Sequence, residues 1–261
     1  IGWRGFETLF NSLMDNSTVT TLDIGGSISS SSTRNRLGVK GTESLTKLLL
    51  HNVTITKLIM SESSPHPDGM PALFTAFRDS PSIAYLDISG CSVNDVCLAP
   101  LSEPIPTHRV LPWEYLLVRD NCITHQGAAS LGVALRVCPS LQYLDVSHNM
   151  IGSPGATWIA KALHSHNMLH TIKLDNNDIG DDGFAAIATM YPAQDALHVP
   201  KTARGRISST GAAGSAGTSL SISSAISGSS SSDRLLSLGG GGGGSGSGSV
   251  SSSGQPRASQ L

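Results

Sequence analysis

Residues 141–163 read LQYLDVSHNMIGSPGATWIAKAL, and residues 169–190 read LHTIKLDNNDIGDDGFAAIATM. Each copy opens on apolar residues at its first, fourth and sixth positions: Leu141, Leu144 and Val146, then Leu169, Ile172 and Leu174. That spacing suits a short strand with one face buried. An asparagine follows in each, Asn149 and Asn177, and then an Ile-Gly pair. After Pro154 and Gly155, the residues Ala156, Ile159, Ala160 and Leu163 fall on one face of a helix. The copies begin at Leu141 and Leu169, 28 residues apart. A fixed period of this length, with one strand and one helix per copy, defines a repeat architecture.

Working outward, the same grammar starts at Trp113, Ile83, Ile55 and Val19. The inward positions are Trp113, Leu116 and Val118; Ile83, Leu86 and Ile88; Ile55, Leu58 and Met60; and Val19, Leu22 and Ile24. The first of these repeats carries a polar insertion, Ser27 to Arg34, and resumes at Asn35, Leu37, Gly38 and Gly41. A polar insertion at a strand-to-helix turn leaves the core intact and projects as a surface loop. Its helix is expected over about 42–50, and that of the next repeat over about 71–78, with Pro71 in the first turn. In the third repeat Pro100, Pro104 and Pro106 forbid a long helix, so one short turn is expected. Residues 1–16 look like the helical half of a repeat without its strand, with Phe6, Leu9, Phe10 and Leu13 on one face. An asparagine column, Asn35, Asn121, Asn149 and Asn177, should pair the backbone groups of the turns, with Ser63 and Cys91 in the equivalent places. The chain starts at Ile1 and reads as a fragment or a processed product.

From about residue 200 serine and glycine dominate, with six glycines from Gly239 to Gly244. Such a composition buries too little apolar area to offset an ordering cost of ~1–2 kcal/mol per residue, so a disordered tail is expected over 200–261. The segment Asp233–Leu238, DRLLSL, interrupts it and reads either as a short interaction motif or as chance. RGRIS around Ser208 fits a basophilic kinase, and the final Ser-Gln-Leu is only a loose match to a peroxisomal address.

The strings LDVSHNMIGSPGATWIAKAL and LDNNDIGDDGFAAIA resemble the ribonuclease-inhibitor-like subfamily of leucine-rich repeats. The resemblance covers roughly residues 5–190. It implies an α/β leucine-rich-repeat solenoid, a horseshoe with a parallel concave β-sheet and convex helices. About six repeats plus a partial N-terminal one make up residues 1–199. Strands pack closer (~4.8 Å) than helices (~10 Å), so the sheet lies on the inner wall. The resemblance further implies a protein partner captured on the concave face, in the cytoplasm, the nucleus or a cytoskeletal structure. The scaffold also serves inhibitors, innate sensors, GTPase-activating proteins and axonemal parts, so it does not choose the partner.

The formal net charge of −2 offers no argument for nucleic acid or an anionic membrane. No apolar run reaches the length of about 18 residues that a spanning helix needs. Cys91, Cys97, Cys122 and Cys138 lack CxxC spacing and read as reduced thiols. A monomer without cofactor or metal is expected.

Three outward columns follow from the strand register. The first reads Thr21, Lys57, Tyr85, Tyr115, Tyr143, Thr171. The second reads Asp23, Ile59, Asp87, Leu117, Asp145, Lys173, and the third Gly25, Ser61, Ser89, Arg119, Ser147, Asp175. Tyr85, Tyr115 and Tyr143 would form an aromatic ladder with Asp87, Leu117, Asp145 and Arg119 beside it. Tyrosine combines contact area with a polar tip, as interface hot spots require. Cross-strand stacking that merely stabilises the sheet is the competing reading. The two aspartates suggest an Arg-containing partner segment.

Other clusters have duller explanations. Asp175–Gly183 fails the EF-hand pattern, and Asp181 or Asp182 serves better as a helix cap. His164, His166 and His170 lack the companions of a closed zinc site. Arg34 and Arg36 could supply an arginine to a small GTPase, as in Ran GTPase-activating proteins, though no fuller motif accompanies them. No nucleophile–base pair or phosphate loop occurs, so no catalytic residue is assigned.

Overall fold

The computed structural model describes residues 2–26, 35–105, 109–164 and 166–189. The insertion 27–34, the junction residue Ser165 and everything from Met190 onward, including the Ser/Gly-rich 200–261, lie outside the described residues.

The chain opens with α1, Trp3–Leu13, then β1, Thr21–Asp23. It continues through β2 (Arg36–Leu37), α2 (Gly38–His51), β3 (Lys57–Ile59), β4 (Ser64–Pro65) and α3 (Met70–Asp79). Next come β5 (Tyr85–Asp87), the one-turn α4 (Asp95–Leu98), β6 (Tyr115–Leu117) and α5 (His125–Leu135). The last two repeats supply β7 (Tyr143–Asp145), α6 (Gly152–Leu163), β8 (Thr171–Lys173) and α7 (Asp181–Ala188). Six strands form one parallel sheet in the order β1-β3-β5-β6-β7-β8, and β2 pairs with β4 in a second, two-stranded one.

The expected inward residues form the core. Leu58, Met60, Leu86, Ile88, Leu116, Val118, Leu144, Val146 and Ile172 are all buried, and Trp113 fills the first position of its repeat. Of α1, Phe6, Phe10 and Leu13 are buried and Leu9 is exposed, so the apolar face is narrower than the spacing suggests. α2 and α6 start earlier than expected, at Gly38 and Gly152. Both glycines take φ near +60°, which lets the chain turn straight from the loop into the helix. Pro154 then falls in the first turn of α6, where its missing N–H costs nothing.

The asparagines bind consecutive turns together. The Asn121 amide donates to the carbonyls of Val118 and Arg119 in its own repeat and of Ile88 in the one before. Its carbonyl accepts the N–H groups of Cys91 and Val93. Asn149 repeats this with Val146, Ser147, Val118 and the Ile123 N–H, and Asn177 with Leu174, Asp175, Val146 and the Ile151 N–H. In the third repeat the Cys91 thiol donates to Met60 O at 3.0 Å. Burial pushes that thiol up to about 12, so it stays protonated and able to donate.

The third repeat replaces a full helix by α4 and a 3₁₀ turn, Ala99–Ser102. Its irregular exit is strapped to the end of α3. Arg78 donates to Pro100 O at 2.8 Å, to Glu103 at 2.7 Å and to Asp79 at 3.1 Å, while Arg109 bonds the Asp79 carboxylate and its backbone carbonyl. The strap lies within the longer, 30-residue interval between Ile83 and Trp113, across which β6 still pairs in register with β5.

Candidate functional site: the outer face of the six-stranded sheet

Strand register fixes which side chains share the outer face. Lys57, Tyr85, Tyr115, Tyr143 and Thr171 are successive register partners, and so are Ile59, Asp87, Leu117, Asp145 and Lys173. Backbone bonds continue the alignment past the strands, through Gly90 N–H to Arg119 O and His148 N–H to Asp175 O.

The three tyrosines stack. Ring centroids are 5.6 Å apart between Tyr85 and Tyr115 and 6.1 Å apart between Tyr115 and Tyr143, with interplanar angles of 28° and 26°. Each ring is half-buried. A lysine closes each end: Lys57 Nζ lies 4.2 Å from the Tyr85 centroid, and Lys173 Nζ lies 5.5 Å from that of Tyr143. Burial and the nearby Asp87 raise the Tyr85 phenol above its ordinary range, so it remains a donor. Tyr143 raises the Lys173 ammonium, which keeps its charge.

The sequence columns pick out Tyr85, Tyr115 and Tyr143 without marking the lysines that cap them. Lys57 is the register partner of Tyr85, a signal the first column held, whereas Lys173 is in register with Asp145 and reaches the Tyr143 ring diagonally. The aspartates sit differently from the expectation. Asp87 is half-buried, and its Oδ1 accepts the Ser89 N–H at 3.0 Å, closing the turn that ends β5. Asp145 is only 3% exposed. It accepts from the N–H and hydroxyl of Ser147, and its Oδ2 lies 3.7 Å from Lys173 Nζ. Asp145 is therefore not an open receptor for an incoming guanidinium. The physical reason is the strand-end turn, which takes a carboxylate oxygen at this position in β1, β5 and β7 alike. Arg119 is exposed and pairs with Asp120 at 2.7 Å, and Leu117 is half-buried between Asp87 and Asp145.

Elsewhere, Gly180 occupies the cap position of α7, and its N–H donates to Ser153 Oγ at 3.1 Å. Asp181 and Asp182 lie in the first turn rather than at the cap, where they still favour the positive end of the helix. His166 Nε2 lies 2.9 Å from Leu135 O. Arg36 is exposed in β2, and Arg34 lies outside the described residues. Among the described residues no three His, Cys, Asp or Glu side chains form a metal-binding group, and no helix is long and apolar enough to cross a membrane.

A family model described as leucine-rich repeat matches residues 137–160 and 165–188, the last two repeats. Together with the strand–turn–helix period, the parallel sheet and the asparagine column, this match gives the fold as an α/β leucine-rich-repeat solenoid. No curated protein matches the sequence. Among solved structures the chain is similar to actin-binding site 2 of leiomodin-1, at 12% identity and a TM-score of 0.42, covering 71% of this chain and 86% of that one. It is similar to the tropomodulin C-terminal domain of Caenorhabditis elegans, at 13% identity and 0.40, covering 71% and 90%. A plant peptide hormone receptor, RGFR1 in complex with RGF2, matches at 14% and 0.35, covering 68% and 32%.

Proposed function

We propose that this chain is a non-enzymatic protein-interaction scaffold whose partner protein docks on the outer face of the sheet, over Tyr85, Tyr115 and Tyr143. The observation that carries the reading is the stacked ladder. Three half-buried rings stack on one another, with a lysine against each end ring. A partner that lands there loses little side-chain freedom on this side, which lowers the cost of association. Stacking and binding are therefore compatible roles for the same rings. Leu117 and Arg119 complete the contact surface, with Asp87 and Asp145 as the supports beneath it. The chain acts as a monomer of the ribonuclease-inhibitor-like type, in the cytoplasm or attached to nuclear or cytoskeletal structures. A regulator of a small GTPase is the alternative from the sequence, but no structural observation favours it.

The test is a photo-cross-linking residue placed at Tyr115 or, as control, at Trp158 on the helix side. A specific adduct from position 115 alone supports the reading. An adduct from position 158 alone places the interface on the other layer.

A further inference from the structure

We propose that residues 197–213 of this chain form a seventh, degenerate repeat that docks on the outer edge of β8 and closes that end of the solenoid. The docking surface is the end of the last described repeat, and register chooses the occupant. The inference is independent of any partner on the outer face.

β8 is the last strand of the six-stranded sheet, and among the described residues no strand pairs with its outer edge. In the interior repeats the N–H of the sixth position donates to the fifth-position carbonyl of the next repeat: Ile88 to Leu117, Val118 to Asp145 and Val146 to Lys173. The eighth position does the same, Glu62 to Ser89 and His148 to Asp175. In the last repeat the groups in these places are the N–H of Leu174 and of Asn176, which point to where a further strand would lie. The apolar cover thins there too. Ile123 and Ile151 are fully buried, whereas Ile179, in the same place of the last repeat, is half-buried. An open edge beside apolar surface is a template for one more strand.

Three columns run on into the segment. At the same 28-residue step, Leu141 and Leu169 are followed by Leu197, Ile151 and Ile179 by Ile207, and Gly155 and Gly183 by Gly211. Residues 169–173 read LHTIK and residues 197–201 LHVPK, while residues 123–130 read ITHQGAAS and residues 207–214 ISSTGAAG. The glycine column has a steric reason. A Cβ at Gly155 would stand 2.5 Å from Ile151 Cγ2, and one at Gly183 2.6 Å from Ile179 Cγ2, so this place in the helix excludes a side chain. Ser208 takes the place of Thr124, whose hydroxyl caps α5 by accepting the Gln126 N–H.

The departures suit a final repeat. Strand N–H groups alternate in direction, so the fourth position, like the sixth, donates forward. Pro200 stands there and has no N–H to offer an eighth strand, and an outer edge is where a sheet accepts proline. Gly205 lacks the column's amide, and Ser215 replaces the core residues Ile159 and Ile187, so the helix stops after about one turn. Lys201 comes into register with Lys173, on the solvent side where salt screens the pair. The stretch whose composition argues against packing then begins near residue 214.

The test reads amide exchange by NMR on the full chain. Leu174 and Asn176 should exchange slowly, and Leu197→Asp/Ile207→Asp should speed both by about tenfold or more while Val118 keeps its rate. Leu235→Asp/Leu236→Asp, in the DRLLSL segment, should change neither. Gly205→Asn supplies the missing amide, whose carbonyl by register accepts the Ile179 N–H, and should slow exchange at Ile179 by about threefold or more. If the first variant also speeds Val118, Gly205→Asn decides alone. Fast exchange at Leu174 and Asn176 in wild type, unchanged rates in Leu197→Asp/Ile207→Asp, or no slowing at Ile179 in Gly205→Asn overturns the proposal. Protection that grows with protein concentration, with a dimer mass by light scattering, gives the β8 edge to a second copy and overturns it too. Faster exchange in Leu235→Asp/Leu236→Asp alone makes residues 233–238 the occupant and does the same.

Discussion

The side-chain carbonyl of Asn121 accepts the backbone N–H of Cys91 at 3.1 Å, reaching into the preceding repeat. Its amide reaches back to Ile88 O in the same repeat. One buried side chain thus closes two turns at once, and the bond pattern recurs at Asn149 and Asn177.

Asn149→Leu removes a donor from three carbonyls and an acceptor from the Ile123 N–H. Buried backbone groups left unpaired cost ~1–3 kcal/mol in sum after local relaxation. Urea unfolding should show that loss; a change within a few tenths of a kcal/mol would contradict the role.

Arg78→Met should loosen the strap on the third repeat. The Arg78 side chain is only 12% exposed, but Glu103 is 62% exposed, so the pair with Glu103 is screened and contributes little. The bonds to Pro100 O and Asp79 are better shielded. A destabilisation of about 1–3 kcal/mol is expected, with faster hydrogen exchange concentrated in residues 99–117. Uniform exchange across the sheet would argue against a local strap.

Gly155→Ala tests the contact between α5 and α6. A Cβ there would stand 2.5 Å from Ile151 Cγ2 and 3.0 Å from Ala128 Cβ. Overpacking of this kind costs ~1–3 kcal/mol, whereas Ala in an open helix position would stabilise. A melting temperature that rises would refute the close approach.

Burial holds the His166 imidazole below the usual histidine range, only partly opposed by its bond to Leu135 O. The unfolded chain therefore takes up a proton at a higher pH than the folded one. Stability is retained above the ordinary histidine value of about 6.5 and is lost as pH falls through the window below it. Wild type should lose more stability than His166→Gln between about pH 7.5 and pH 5.5. Parallel losses in the two proteins would show that this group does not titrate as described.

The strand register was legible because the same apolar spacing recurs at intervals of 28 to 30 residues; Leu58, Leu86, Leu116 and Leu144 pair in register. The tyrosine ladder followed from the same arithmetic. The burial of Asp145 did not, because it depends on Ser147 two residues on and Lys173 one strand away, neither of which is marked by spacing. The pairing of β2 with β4 was hidden in a stretch that Pro65 and Pro67 make look like a turn. The Arg78–Asp79–Arg109 strap joins charges 30 residues apart, beyond any local signal.

The ladder itself is tested by comparing Tyr115→Ala/Tyr143→Ala with Trp158→Ala, using the protein cross-linked at position 115 and measuring its affinity by titration calorimetry. The ladder variant should keep its melting transition and lose at least about tenfold in affinity, since hot-spot aromatics contribute ~2 kcal/mol or more each. Trp158→Ala on α6 should bind like wild type. Full affinity in the ladder variant, or loss in Trp158→Ala alone, would contradict a partner on the sheet face.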